Sequence, residues 1–262
     1  ARIMGLNRTQ TAHAMGIAEY HGPRSQMMRC IDHPTMVKDG SGWGAMCGVS
    51  AARMAKAGFT SAPALTLQTE HWQDLGVDWL ILQQYFKPYP VCRWAQGPIA
   101  TILDLKARHK FSSQDVAGLH LVSFHEAVRL GQKNAITNEE AQYLISFPCA
   151  LAIVHVTVMP QHVADEALGD PEVQRLSAVL SMDEDNYANR LFPLQRMARA
   201  EITLHAGDIL KSGWFEPKWD AATPPTQGEL EEKFHAYAGP VLGQARSDAL
   251  HLAVMSLDKT EV

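Results

Sequence analysis

The stretch 44–57 constrains the fold more than any other. Gly44, Ala45, Gly48, Ser50, Ala51, Ala52 and Ala55 recur at helical spacing, with Met46, Val49 and Met54 adding an apolar face. Small side chains let a second helix approach closely, so this segment is predicted to be a helix buried in a helical bundle, ended by Gly58. An alanine-rich surface helix is the weaker alternative because of that apolar face. Upstream, Ala12, Met15 and Ala18 predict a helix over 9–18 that starts beside the capping candidates Asn7 and Thr9 and delivers His21 at its end. The opening Ala1-Arg2-Ile3-Met4-Gly5-Leu6 resembles the last turn of a helix closed by Gly5, and a chain that begins inside a helix is expected to have residues upstream.

Between these helices, residues 20–44 are expected to be neither helix nor strand. Gly22-Pro23, His33-Pro34 and Asp39-Gly40 punctuate them as turns. His21, Arg24, Arg29, His33 and Lys38 outnumber the carboxylates, while Met, Ile and Trp argue for order. A long irregular segment of this kind is usually functional. It is predicted to be an ordered anion-binding loop for a small carboxylate.

Further on, residues 59–78 are expected to be loop, and 79–86 to be strand or helix end. Lys87-Pro88-Tyr89-Pro90 forces an extended backbone and marks a domain boundary. A helix is predicted over 93–109, with Ile99, Ile102, Leu103 and Leu105 inward, and a strand over 116–123. The capping-box form Thr137-Asn138-Glu139-Glu140 starts an apolar helix to about Val156. Asp170-Pro171-Glu172 starts another, and 198–204 with 209–214 form a hairpin around His205-Ala206-Gly207-Asp208. Thr226-Gln227-Gly228-Glu229 restarts helix, and Pro240 opens a last helix ending near Leu257. The fold class is therefore α+β, with helical first (1–86) and last (219–262) parts around an α+β segment (87–218) containing an antiparallel sheet.

A net charge of −5 gives no support to nucleic acid as partner, and no apolar run is long enough to span a bilayer. Cys30, Cys47, Cys92 and Cys149 form no CxxC pair, which favours reduced thiols in a cytoplasmic setting. The histidines show no metal spacing.

Several pieces together resemble the MmgE/PrpD family of 2-methylcitrate dehydratases, cis-aconitate decarboxylases and an iminodisuccinate epimerase. They are Ala14-Met15-Gly16-Ile17-Ala18-Glu19-Tyr20-His21, Lys38 leading into the small-residue helix, and Ala57-Gly58-Phe59-Thr60. Phe86-Lys87-Pro88-Tyr89-Pro90-Val91-Cys92-Arg93, Glu140-Ala141-Gln142-Tyr143 and Asp170-Pro171-Glu172-Val173 follow in order. The resemblance implies a helical domain, here lacking its upstream part, with an inserted α+β lid. It also implies a homodimer, no metal or organic cofactor, and a di- or tricarboxylate substrate.

The implied reaction abstracts a proton α to a carboxylate, and cationic donors must stabilise the charge that builds there. Loss of β-hydroxide gives a hydro-lyase; reprotonation on the other face gives an epimerase; loss of carbon dioxide reaches a related carbanion. By resemblance His21 is the expected acid/base or carboxylate ligand, and Lys38 neutralises a substrate carboxylate. Their alternatives are a histidine interacting with the helix dipole and a solvated loop lysine. Lys87 and Arg93 at the junction, with Arg24 and Arg29 in the connector, are the candidate substrate-binding cations. A histidine common in relatives after the junction is replaced by Cys92 and Ala95-Gln96, and Phe147 stands where some relatives carry tyrosine. The second departure weakens the decarboxylase branch. A hydro-lyase is the first expectation, an epimerase the second, and a non-catalytic truncated homologue the competing class. The connector and junction cations are expected to converge on one cleft around an acid anion.

Overall fold

The computed structural model describes residues 1–24, 26–38, 40–131 and 134–257. The chain divides into two compact units, Ala1–Leu82 and Gln83–Val262.

In the first unit, Arg2–Met4 form a single turn closed by Gly5 in the left-handed region. Helix α1 (Arg8–His21) starts at Asn7, whose side chain accepts from Gln10 N while the Gln10 side chain accepts from Asn7 N, a reciprocal capping box. Helix α3 (Ser41–Lys56) packs on α1 through Ala14 and Ile17 against Ala51, Ala52 and Ala55, flanked by Leu6 and Met54. Alanine on both sides permits the close approach. The expectation of a helix buried in a bundle holds only for one stripe of its C-terminal half, Ala51, Ala52 and Ala55. Trp43, Met46 and Val49 are 59%, 52% and 51% exposed, because one helical neighbour covers only one stripe of a helix. Gly58, at φ +95°, turns the chain out, and Phe59 N donates to Met54 O.

The connector departs from expectation. Residues Met27–Asp32 form a short helix, α2, that buries Ile31. Six residues are too few for periodicity to declare a helix. Residues 65–83 carry three short 3₁₀ turns, the last of them Leu80–Gln83, and no strand.

The second unit opens with a 3₁₀ turn (Arg93–Ala95) leading into helix α4 (Gln96–His109), whose Ile99, Ile102 and Leu105 are fully buried. Then come strand β1 (Val116–Ser123) and helices α5 (His125–Val128), α6 (Asn138–Tyr143), α7 (Ser146–His155) and α8 (Pro171–Ala178). Strand β2 (Leu180–Glu184), helix α9 (Asn186–Leu191), and strands β3 (Arg199–Leu204) and β4 (Ile209–Lys211) complete the sheet. Helices α10 (Gln227–Leu242) and α11 (Gln244–Met255) end the described chain. No helix among the described residues is long and apolar enough to cross a membrane.

The sheet order is β2-β1-β3-β4. The α+β class holds, but the sheet is mixed and not antiparallel throughout: β2 runs parallel to β1, with Leu119 opposite Leu180 and Leu121 opposite Met182. The helices between β1 and β2 form the long crossover that a parallel pair needs. β1–β3 and the hairpin β3–β4 are antiparallel. Leu119, Leu121, Leu180, Met182, Ala200 and Ile202 form the buried face of the sheet, and α4, α7 and α8 supply the rest of the core. Phe124 and Phe192 stack at 4.4 Å, with Trp94 edge-on to both.

Two helix boundaries also differ. The predicted single helix after Thr137 is two, α6 and α7, because Pro148 has no N–H to donate to Leu144 O and Leu144 turns extended. Pro240 lies in the last turn of α10 and does not open the last helix; Gly243, at φ +75°, separates α10 from α11.

Candidate functional site

A pocket of about 520 Å³ lies in the first unit between the last two turns of α1 and residues 59–65. Gly16 makes this arrangement possible. A Cβ on Gly16 would stand 2.0 Å from Ala62 O and 2.4 Å from Ser61 Oγ, so the 59–65 segment occupies the space a side chain would fill. Ser61 fastens the segment to α1: its N donates to His13 Nδ1 at 3.2 Å and its Oγ to His13 O at 2.9 Å. Thr66 N adds a contact to Glu19 Oε1 at 3.4 Å. Ile17, Tyr20, Phe59, Pro63 and Leu65 give apolar walls, and Glu19, His21 and Arg24 are the ionisable side chains of the described lining.

His21 is the last residue of α1 and is solvent-exposed, with its ring edge-on to Tyr20 at 5.2 Å. A helix C-terminus leaves carbonyls unsatisfied and carries partial negative charge. Arg24 answers both, its guanidinium donating to Glu19 O at 3.0 Å and Tyr20 O at 3.4 Å. Glu19 was not singled out from sequence. Its Oε2 is buried and has no hydrogen-bond partner among the described residues. A buried acceptor left unsatisfied costs about 1–3 kcal/mol, so this oxygen favours a ligand that brings a donor. Nothing local marked it, because its significance comes from Thr66 and burial, both set by the loop. The described lining of the pocket combines one guanidinium, one imidazole and one carboxyl group.

The connector's other cations lie elsewhere. Arg29 on α2 and Lys38 ahead of α3 are exposed, and neither is among the described residues lining the pocket; His33 is also outside it. The structure thus brings His21 and Arg24 together in the pocket, whose described lining includes neither Arg29 nor Lys38.

In the second unit, Arg93 is buried at 5% exposure and pairs with Asp220 at 2.7 Å. It also donates to Phe86 O and Lys218 O and lies over the Tyr85 ring at 4.2 Å. Burial lowers its pKa, and Asp220 opposes that shift. Its charge therefore holds the junction, and it is no open anion ligand. Lys87 is exposed, and its backbone carbonyl accepts from Lys233 Nζ. Burial raises the thiol pKa of both Cys92 and Cys149, which keeps them protonated and un-nucleophilic at neutral pH. Among the described residues no group of three or more His, Cys, Asp and Glu is placed to hold a metal ion.

Residues 89–259 match the sequence model described as the MmgE/PrpD C-terminal domain. The chain belongs to the MmgE/PrpD family. No curated protein matches the chain. Of the site candidates only Arg93 falls inside the matched range; His21, Arg24, Arg29, Lys38 and Lys87 precede it.

Proposed function

We propose that the chain is an MmgE/PrpD-type enzyme acting on a small di- or tricarboxylate by α-proton abstraction with elimination of water. The observation that carries this reading is the pocket at the end of α1, where His21 and Arg24 share a largely apolar wall with the unsatisfied oxygen of Glu19. Arg24 holds a substrate carboxylate, and His21 takes the α-proton on an imidazole nitrogen. The C–H electron pair becomes the new double bond as the β-hydroxyl leaves, taking back the proton held by His21 to depart as water. Lys38 is proposed as a further carboxylate contact, and Lys87 as a carboxylate-binding cation of the second unit. The reading uses no cofactor, and the helical-domain-plus-lid division at 1–86, 87–218 and 219–262, the homodimer and the cytoplasmic setting belong to the same proposal.

Deuterium uptake from heavy water into candidate di- and tricarboxylates tests it. Uptake with loss of water, abolished in His21→Gln, supports the hydro-lyase. Uptake without elimination moves the assignment to an iminodisuccinate-type epimerase, which shares the abstraction step. No uptake with any polycarboxylate removes proton transfer and leaves a non-catalytic homologue.

A further inference from the structure

The segment Phe86–Cys92 has no regular structure, yet almost every backbone carbonyl in it is held by a side chain of the second unit. Phe86 O accepts from Arg93 Nη1 at 3.2 Å, Lys87 O from Lys233 Nζ, and Pro88 O from Tyr237 Oη at 3.3 Å. Gln96 Nε2 serves Tyr89 O, Val91 O and Cys92 O, each at 3.2 Å. The amides are anchored as well: Phe86 N donates to Trp219 O, Tyr89 N to Gln96 Oε1 and Cys92 N to Gln142 O. Two prolines remove the remaining freedom of the backbone. Such tethering costs side-chain entropy, and it leaves Lys87, with its neighbour Phe86, exposed on a fixed base.

We propose that Lys233 and Tyr237 of α10 are positioning residues that aim the Lys87 ammonium; this rests on the reading of Lys87 as a carboxylate contact. Both lie one helical turn apart on one face of α10, with the Lys233 ammonium 5.3 Å from the Tyr237 ring. They grip the carbonyls of Lys87 and Pro88, in the two peptide groups that follow the Lys87 Cα, and so hold the backbone from which the Lys87 side chain leaves. Both are suited to constant donation. Burial pushes the Tyr237 phenol up to about 12, so it stays protonated. Lys233 sits partly buried, its pKa lowered first by burial and then by the Lys87 charge, so the two ammonium groups sense each other. Lys233 thereby fixes the Lys87 backbone.

The test uses the full chain with Lys233→Met, Lys233→Arg, Tyr237→Phe and Lys87→Met. The first readout needs no substrate: hydrogen exchange at the amides of Lys87, Tyr89 and Val91, and the acetylation rate of Lys87 against that of Lys110. Lys233→Met and Tyr237→Phe are expected to speed exchange there about tenfold and to change the Lys87 rate, with α4 and the sheet unaffected, and Lys233→Arg to restore both. Unchanged exchange, or an unchanged Lys87 rate, overturns the proposal whatever the protein acts on. The second readout is KM against kcat for a polycarboxylate that shows deuterium uptake. Lys233→Met should raise KM as Lys87→Met does, with no further rise in the double variant and kcat little changed. Faster exchange with wild-type KM makes Lys233 a structural tether only and overturns the aiming role. Absence of any turnover by the wild type counts against the proposed function, while the first readout still decides the positioning.

Discussion

Gly16→Ala is the most direct test of how the pocket is built. The added Cβ would meet Ala62 O at 2.0 Å and Ser61 Oγ at 2.4 Å, with Ser61 Cβ at 3.2 Å. A carbon and a carbonyl oxygen do not approach within 3.0 Å, so the 59–65 backbone must withdraw by roughly 1 Å or α1 must shift. Overpacking of this kind costs about 1–3 kcal/mol. Withdrawal also stretches the two Ser61–His13 hydrogen bonds, each worth about 0.5–1.5 kcal/mol. Against this, alanine gains about 1 kcal/mol over glycine inside a helix. The net expectation is a loss of about 1–5 kcal/mol, confined to the first unit, with faster hydrogen exchange over 59–66 and loss of the pocket wall. Ser61→Ala, which removes the Oγ–His13 bond without adding bulk, should lose about 1 kcal/mol and keep the pocket. A Gly16→Ala protein as stable as the wild type, with 59–66 still protected, would mean that the helix-propensity gain decides and that the loop does not fill the Cβ space. The account of the pocket would then fail.

Two other perturbations report on the second unit. Glu172 is bound by Arg175 through Nε and Nη2 at 2.9 and 2.8 Å, and this holds its carboxyl down at about 2. A depressed carboxyl contributes stability above its unfolded pKa and loses it as pH falls from about 4.3 towards 2. After solvent screening the contribution is about 1–2 kcal/mol, so denaturant midpoints at pH 7 should fall in Glu172→Gln while the acid limb becomes shallower. An acid limb identical to wild type would exclude the pair as its source. Arg93→Met strands Asp220 and frees Phe86 O and Lys218 O, and should cost about 3 kcal/mol in chemical unfolding. Adding Asp220→Asn should recover part of that loss; no recovery would mean that the ion pair carries none of it.

What the sequence disclosed was what local chemistry decides. Asn7, Thr137, Asp170 and Thr226 each cap a helix as their side chains require, because a cap is settled within four residues. β2 was invisible for the opposite reason. Leu180-Ser181-Met182-Asp183-Glu184 is short and acidic, and it becomes a strand only by pairing with β1, far away in sequence. The mixed sheet follows from that missed strand. At the site, His21 and Arg24 were legible by position after a helix and in a turn, whereas Glu19 depended on contacts from 59–66.

The stretches that carried the family resemblance meet in space, and this gives the resemblance a physical content. Residues 14–21 and 57–60 supply Gly16, Ile17, Tyr20 and His21 on one wall of the pocket and Phe59 and Thr60 on the other. Their spacing along the chain reflects the length of α2, α3 and the connector, and their composition reflects the close approach at Gly16. Residues 86–93 and 140–143 meet in the same way in the second unit, where Cys92 N donates to Gln142 O at 2.7 Å. A substitution in one stretch should therefore be compensated most readily in its spatial partner. Deleting bulk at Ser61 should recover only the part of the Gly16→Ala loss that comes from Ser61 Oγ, because the Ala62 carbonyl 2.0 Å away stays in place, and a change on α3 should recover none of it.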